Sequence, residues 1–205
     1  MIDQISAVAQ RDVSRETFER LQLYSKLLRA EANKQNLISA NTVDCLWERH
    51  VLDSAQLVKF EQTPGSSWVD IGSGAGLPGV VVACLVEGPV TLVEPRRLRA
   101  DFLVDVIKAL DLADRVSVKR STVQRVQGSF DVISARAVAR LPKLLEISQH
   151  LSTGKTVWVL PKGTGAREEL AEAQQAWQGM FHVERSATSD DSFIVVGTGV
   201  RVKRR

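Results

Sequence analysis

The 205-residue chain is predicted to be an α/β protein. We expect a seven-stranded, mostly parallel sheet covered by helices, preceded by a helical extension. Three observations predict it. Short apolar runs alternate with segments of helical periodicity from Trp68 onward, the pattern that builds parallel sheets. A glycine-rich turn, Gly72-Ser73-Gly74-Ala75-Gly76-Leu77-Pro78-Gly79, leads from the first core strand into the helix behind it. The last two apolar runs are separated by only Ser186–Asp191, too short for a crossover helix, so they should close as an antiparallel hairpin.

The extension comes first, over residues 1–62. Ser14 is placed to cap a helix with Glu16 in its first turn. Phe18, Leu21, Tyr24, Leu27 and Leu28 recur at helical spacing to about Ala32. Residues 33–41 are polar and turn-like. Asn41 or Thr42 should then cap a second helix reaching about Phe60, with Leu46, Val51, Ala55 and Val58 inward. His50 and Asp53 are three apart and share a face. They form either a helix–helix pair or part of an active-site mouth.

Residues 63–205 form the core, entered through Thr63-Pro64-Gly65-Ser66. Trp68 to Ile71 is the first strand. Pro78 suits the first turn of the next helix, which needs no N–H there, and Val80 to Val86 continue it as a buried run. Gly88-Pro89 ends it, and Val90 to Val93 is a second strand ending on Glu94. Leu98, Phe102, Leu103, Val106, Ile107 and Leu110 mark a helix, Val116 to Val118 a third strand, and Phe130 to Ser134 a fourth. Pro142 to His150 is helical, Thr156 to Leu160 a fifth strand, and Ala166 to Gln178 a helix. Phe181–Arg185 and Ser192–Gly197 complete the sheet.

Composition bounds the function. With 44% hydrophobic and 25% charged residues, the chain has enough apolar surface for a packed core. No run approaches the roughly 18 apolar residues of a membrane span, and Met1-Ile2-Asp3-Gln4 lacks the basic start and apolar stretch of a signal peptide. Cys45 and Cys84 are too far apart in sequence to form a metal or redox motif, so a reducing compartment is expected. The net charge is +3 and the pI about 9.0, which permits a polyanionic partner. Arg96, Arg97 and Arg99 after the second strand, and Arg201, Lys203, Arg204 and Arg205 near the last residue, concentrate that charge.

Strand, glycine turn, helix, strand and carboxylate make half of a nucleotide-binding unit. Gly74, Gly76 and Gly79 match the dinucleotide spacing, so NAD is one reading. Asp70 favours another. A carboxylate two residues before the first glycine repels a pyrophosphate but tolerates a sulfonium and an ammonium, as in S-adenosylmethionine. Glu94 would then bind the ribose hydroxyls. The chain also has no room for the second mononucleotide half or the substrate domain of an NAD enzyme, so the methyltransferase reading gains.

Several runs then stand out together: Asn36-Leu37-Ile38-Ser39, Arg49-His50-Val51-Leu52-Asp53-Ser54, the stretch Val69 to Gly79, Ser134-Ala135-Arg136-Ala137-Val138-Ala139, and Lys162-Gly163. With these the chain resembles, nearly end to end, the bacterial 16S rRNA guanine-N7 methyltransferase family known as GidB or RsmG. The resemblance implies a Rossmann-like class I methyltransferase with S-adenosylmethionine as cofactor. Its substrate would be a guanine in the decoding-region loop of 16S rRNA, free or in the small ribosomal subunit. By position, Gly72 and Leu77 line the cofactor, Glu94 is the acidic residue after the second strand, Val123-Gln124 meets the adenine and Arg136 is the cofactor-site arginine. Gln124 departs from the more usual glutamate, and Glu94-Pro95 from Asp-Ser.

The expected cofactor residues are therefore Asp70, Gly72, Gly74, Leu77, Glu94, Val123, Gln124 and Arg136. His50, Lys162, Arg201 and Lys203 are candidates for RNA, although the basic tail equally reads as a solvated end. Guanine N7 has an in-plane lone pair and no proton to lose, so no general base is required. Catalysis should rest on positioning and electrostatics, with Arg136 and Asp53 as candidates and no metal. Arg136 reads either as a clamp or as a buried structural arginine. A monomer in the cytoplasm, away from membranes, is expected. The rivals are another RNA or small-molecule methyltransferase, an RNA-binding module with a degenerate pocket, and an NAD(P)-linked reductase.

Overall fold

The computed structural model describes residues 1–32, 34–35, 37 and 45–203. The expected Asn41/Thr42 cap, most of the Asn36–Ser39 run and Arg204-Arg205 lie outside them. Helix α1 (Ile2–Ala9) precedes α2 (Arg15–Ala32). Segment α3 runs as a π turn (Trp47–Leu52), an α turn (Asp53–Ala55) and a 3-10 turn (Gln56–Phe60). The core alternates β1 (Trp68–Ile71), α4 (Gly79–Leu85), β2 (Val90–Val93), α5 (Arg97–Ala109) and β3 (Val116–Lys119). It continues with β4 (Val132–Ala135), α6 (Leu141–Ser148), β5 (Val157–Lys162), α7 (Ala166–Ala176), β6 (Trp177–Arg185) and β7 (Phe193–Val202).

The strand order is β3-β2-β1-β4-β5-β7-β6. β3, β2, β1, β4 and β5 are parallel. β7 runs antiparallel between β5 and β6. This is the expected seven-stranded sheet. The central parallel strands β1 and β4 are buried on both faces, as crossover helices demand, whereas β3 at the edge is partly exposed. Alternate β1 residues serve opposite cores: Trp68 joins the cluster under α1, α2, α4 and α5, whereas Val69 joins the cluster under α6 and α7. The first cluster takes Ile5, Leu21, Leu28, Leu46 and Val51 together with Val80 and Leu103, so the extension and the nucleotide-binding half share one core.

Several elements differ from expectation. α1 was not anticipated, because Ile5 and Ala9 are its only buried residues and so short a stripe has little periodicity to read. β4 begins at Val132. There Asp131 is instead held to Ser67, through contacts of its Oδ2 with the Ser67 N–H (2.9 Å) and hydroxyl (2.7 Å). α7 stops at Ala176, since Trp177 pairs with Val202 and Gln178 with Arg201. The closing hairpin is therefore longer than expected, and Arg201 belongs to a strand and not to a loose tail.

Candidate active site

The carboxyl ends of β1, β2, β3 and β4 form one edge, where ligands of open α/β sheets collect. The turn after β1 lies there. Gly72, Gly74 and Gly76 have φ of 67°, 54° and 96°, a region that disfavours side chains. Each holds a different surrounding off the backbone. A Cβ on Gly72 would lie 2.7 Å from Val138 Cγ2, and one on Gly76 3.0 Å from the Tyr24 hydroxyl. On Gly74 it would meet only ordinary contacts, with Arg99 Nη1 and Gly72 O at 3.7 Å. Leu77 is buried behind this turn.

Two carboxylates pin the turn. Glu94, 3% exposed, accepts from the Gly74 N–H (2.9 Å) on one oxygen and from the Arg96 N–H (2.8 Å) on the other. A carboxylate offers about four lone-pair sites, so each oxygen keeps one for a further donor. Asp70 is 1% exposed. Its Oδ2 accepts from the Gly79 N–H at 3.2 Å, and its Oδ1 from the Ser134 hydroxyl at 2.8 Å. Burial raises its pKa from 3.8 to about 6, against hydrogen bonds from Ser73, Ser134 and Gly79 that lower it. Asp70 thus holds the start of α4. Each Asp70 oxygen already accepts one protein donor beside whatever contact it makes with a ligand. Tyr24, fully buried on α2, donates to Ala75 O at 2.9 Å, so the extension also grips the turn.

At the end of β3, Val123 is buried in a 3-10 turn and Gln124 is exposed beside it. At the end of β4, Arg136 reaches α3. Its Nη1 donates to His50 Nδ1 at 3.3 Å and lies 3.6 Å from Asp53 Oδ2. His50 and Asp53 do share a face, and that face meets Arg136. Because an arginine only donates, His50 Nδ1 accepts and its proton sits on Nε2. Burial, then the Arg136 charge, depresses the His50 pKa to about 4, so the ring is neutral at pH 7. Asp53 Oδ1 accepts from Gln56 Nε2 (2.9 Å), Thr188 Oγ1 (2.9 Å) and Ser186 Oγ (3.1 Å).

His50, Asp53 and Arg136 line a cavity of about 930 Å³, with Arg49, Lys162, Thr188, Ser189, Asp191, Ser192 and Phe193 around it. Next to Arg136, Ala137 takes φ 56°, an uncommon conformation for a residue with a Cβ that gathers at functional sites. It turns Val138 onto Gly72, linking the cavity to the glycine turn.

Lys162 lines the cavity, but its ammonium is held by Ala139 O (2.8 Å) and Glu169 Oε2 (2.9 Å), so a phosphate would compete with a carboxylate for it. Arg201 and Lys203 are elsewhere. β7 is antiparallel to β5, with Phe193 beside Lys162 and Thr198 beside Val157. Its C-terminal end therefore lies at the sheet edge opposite the cavity. No trio of His, Cys, Asp or Glu placed for a metal occurs among the described residues. No helix among them is long and apolar enough to cross a membrane.

Tyr24, Ser134, Gln56, Ser186 and Thr188 were not singled out by sequence. The weak signals were that Tyr24 is the chain's one tyrosine and that Ser134 opens the run containing Arg136. Nothing local marks Ser186 and Thr188, whose partner Asp53 is far away in sequence, and Gln56, three residues after Asp53, carries no motif of its own.

The family model described as "GidB: rRNA small subunit methyltransferase G" matches residues 17–191. A ribosomal RNA small subunit methyltransferase G of Sphingopyxis alaskensis is 47% identical over 188 residues, 91% of this chain and 80% of the relative. One from Erythrobacter litoralis is 45% identical over 88% of both chains. Among solved structures, a SAM-dependent methyltransferase from Aquifex aeolicus superposes with a TM-score of 0.60 at 16% identity. That match covers 75% of this chain and 92% of the other, and at such identity it speaks for the fold alone.

Proposed function

This chain belongs to the GidB family of rRNA small subunit methyltransferases, and from that premise we propose that it transfers a methyl group from S-adenosylmethionine to N7 of a guanine in the decoding-region loop of 16S rRNA. The observation that carries this reading is the convergence of two motifs through one residue. Arg136 sits at the end of β4, next to β1 and its glycine turn, and its guanidinium meets His50 and Asp53. Cofactor edge and cavity are thereby adjacent.

The residues present fit the cofactor. The turn carries no side chains at Gly72, Gly74 or Gly76, Glu94 retains acceptor sites for a ribose diol, and the Val123-Gln124 turn after β3 supports an adenine contact at the same sheet edge. Arg136 uses Nη1 on α3. Among the described residues, its Nε and Nη2 make no hydrogen bond, which leaves donors for an anionic group of cofactor or target. When bound, S-adenosylmethionine supplies an electrophilic sulfonium methyl.

The protein has little proton chemistry to do. N7 attacks through a lone pair and loses no proton. His50 and Asp53 support this division of labour: the basic nitrogen of His50 accepts from Arg136, and Asp53 is ringed by donors. Their work is to hold Arg136 and shape the cavity. In A-form RNA the deep groove hides N7, so the target must be unpaired or splayed, and Arg49 at the rim is placed for its backbone. Arg96 and Arg97, exposed at the start of α5, extend that basic edge, whereas Arg201 and Lys203 lie away from it. The protein is taken to act as a cytoplasmic monomer.

Primer extension on 16S rRNA from a deletion strain, with chemistry that cleaves at 7-methylguanine, tests the reading. A decoding-loop stop should vanish on deletion and return with the gene. An unchanged stop, or tight binding of NADPH in place of labelled S-adenosylmethionine, would discard it.

A further inference from the structure

Asp53 is the hub of a network whose members come from distant parts of the chain. Its Oδ2 faces Arg136. Its Oδ1 gathers Gln56 from α3 and two hydroxyls, Ser186 and Thr188, from the loop joining β6 to β7. The loop is knitted further. Gln56, 1% exposed, donates to Ser186 Oγ at 2.8 Å and accepts from the Ala187 N–H at 2.8 Å. Ser186 Oγ in turn takes the Thr188 N–H at 3.1 Å. Residues 188, 189, 191 and 192 of this loop, with Phe193 at the start of β7, form one wall of the cavity. Arg136, Asp53 and His50 form another part of it.

We infer that Thr188 and Ser186 are positioning residues for methyl transfer: through Asp53 they fix the Arg136 guanidinium, and so lock the hairpin loop and the reaction edge into one geometry. This rests on the methyltransferase reading above and adds to it the loop that closes the cavity. The physical argument is one of direction. A carboxylate facing an arginine at 3.6 Å is free to swing unless its other oxygen is tied. Here three donors from two elements tie it. A guanidinium held at one nitrogen keeps its remaining donors aimed, and misplacement of such a group slows a reaction without abolishing binding.

The test uses Thr188→Val, which keeps shape and removes the hydroxyl, Thr188→Ser, which keeps the hydroxyl, and Ser186→Ala. Two readouts are taken. In methylation of small subunits from the deletion strain, Thr188→Val and Ser186→Ala should lower kcat roughly ten- to a hundredfold with KM and cofactor Kd nearly unchanged. Thr188→Ser should restore most of the rate. The second readout is the NMR titration of the His50 ring. In Thr188→Val its midpoint should shift away from the parent value, because an untied Asp53 changes its own distance and that of Arg136 to the ring, and both charges act on it. Thr188→Ser should titrate like the parent.

Loss of thermal stability with parental kcat and a superimposable His50 titration would overturn the inference and leave the loop a structural brace. A change confined to KM would overturn it too, making the loop a binding surface. Should the parent itself methylate no small subunit, the functional reading fails, and the His50 titration alone decides whether the hydroxyls set the Arg136 environment.

Discussion

Glu94 shows how one side chain can serve both the fold and the ligand. It holds the Gly74 and Arg96 N–H groups, and hydrogen bonds to a charged group are worth about 1.5–3 kcal/mol. Glu94→Ala should therefore weaken S-adenosylmethionine binding about ten- to a hundredfold by calorimetry. Unchanged affinity would remove Glu94 from the site. Gly74→Val should abolish activity for a different reason. The space beside Gly74 is open, but φ is 54°, which a β-branched residue resists. A normal rate of rRNA methylation by this variant would exclude the turn from the cofactor site. Asp70 and His50 pull acid stability in opposite directions. Asp70 is raised from 3.8 to about 6, so in that window the native state holds a proton the unfolded chain has lost. Its contribution is complete below about 3.8 and is lost as pH rises through about 6. His50 is lowered from 6.5 to about 4. Its contribution is complete above about 6.5 and is lost as pH falls through about 4. Relative to the parent, Asp70→Asn should make stability rise more steeply between about pH 4 and 6 in denaturant titrations, and His50→Gln should make it rise less steeply. Parallel curves for all three proteins would show that neither group is perturbed.

At the scale of elements, the closing hairpin changes what a truncation can test. Val200 is buried, and the β6–β7 ladder continues to Trp177 opposite Val202. Deleting residues 200–205 would remove strand as well as charge. Charge reversal isolates the charge: Arg201→Glu with Lys203→Glu keeps the ladder and changes only exposed side chains. Their edge is opposite the cavity. The slope of log affinity for an rRNA fragment against log salt should therefore stay parental in that variant. It should become shallower by about 0.7 for each single-strand phosphate lost in Arg96→Ala and Arg97→Ala. A shallower slope for the tail variant alone would move the RNA footprint to the far edge. The alternating strands and helices were legible because apolar period and turn residues carry them locally. The end of α7 was not, because Trp177 and Gln178 continue a helical composition and become strand only by pairing with Val202 and Arg201. The same limit hid Thr188 and Ser186, whose meaning depends on an aspartate on another element. The glycine turn, Glu94 and Arg136 were legible because their chemistry is written in adjacent residues.

For the molecule as a whole, the question is whether the extension is an appendage or part of the enzyme. Sequence suggested a division near residue 62, on the change from helical to alternating pattern. The packing crosses it. Leu21, Leu28, Leu46 and Val51 share a core with Val80 and Leu103. Arg11 reaches Glu61 at 3.0 Å and Leu85 O at 3.1 Å. Tyr24 closes the link to function by donating to Ala75 O inside the glycine turn. Tyr24→Phe would leave that buried carbonyl unpaired, a loss of about 1–3 kcal/mol, on the turn that is proposed to hold the cofactor. It should lower both melting temperature and S-adenosylmethionine affinity. The full chain should unfold in a single calorimetric transition. A ligand at one hundred times its Kd adds about 2.7 kcal/mol to a state that binds it, and a chain of this size gains about 2–4 °C per kcal/mol. Saturating S-adenosylmethionine should thus raise that one transition by about 5–10 °C, carrying the helices of the extension with it. Two transitions, with only the later one moved by the cofactor, would show that the extension folds apart from the site and that the Tyr24 contact does not couple them.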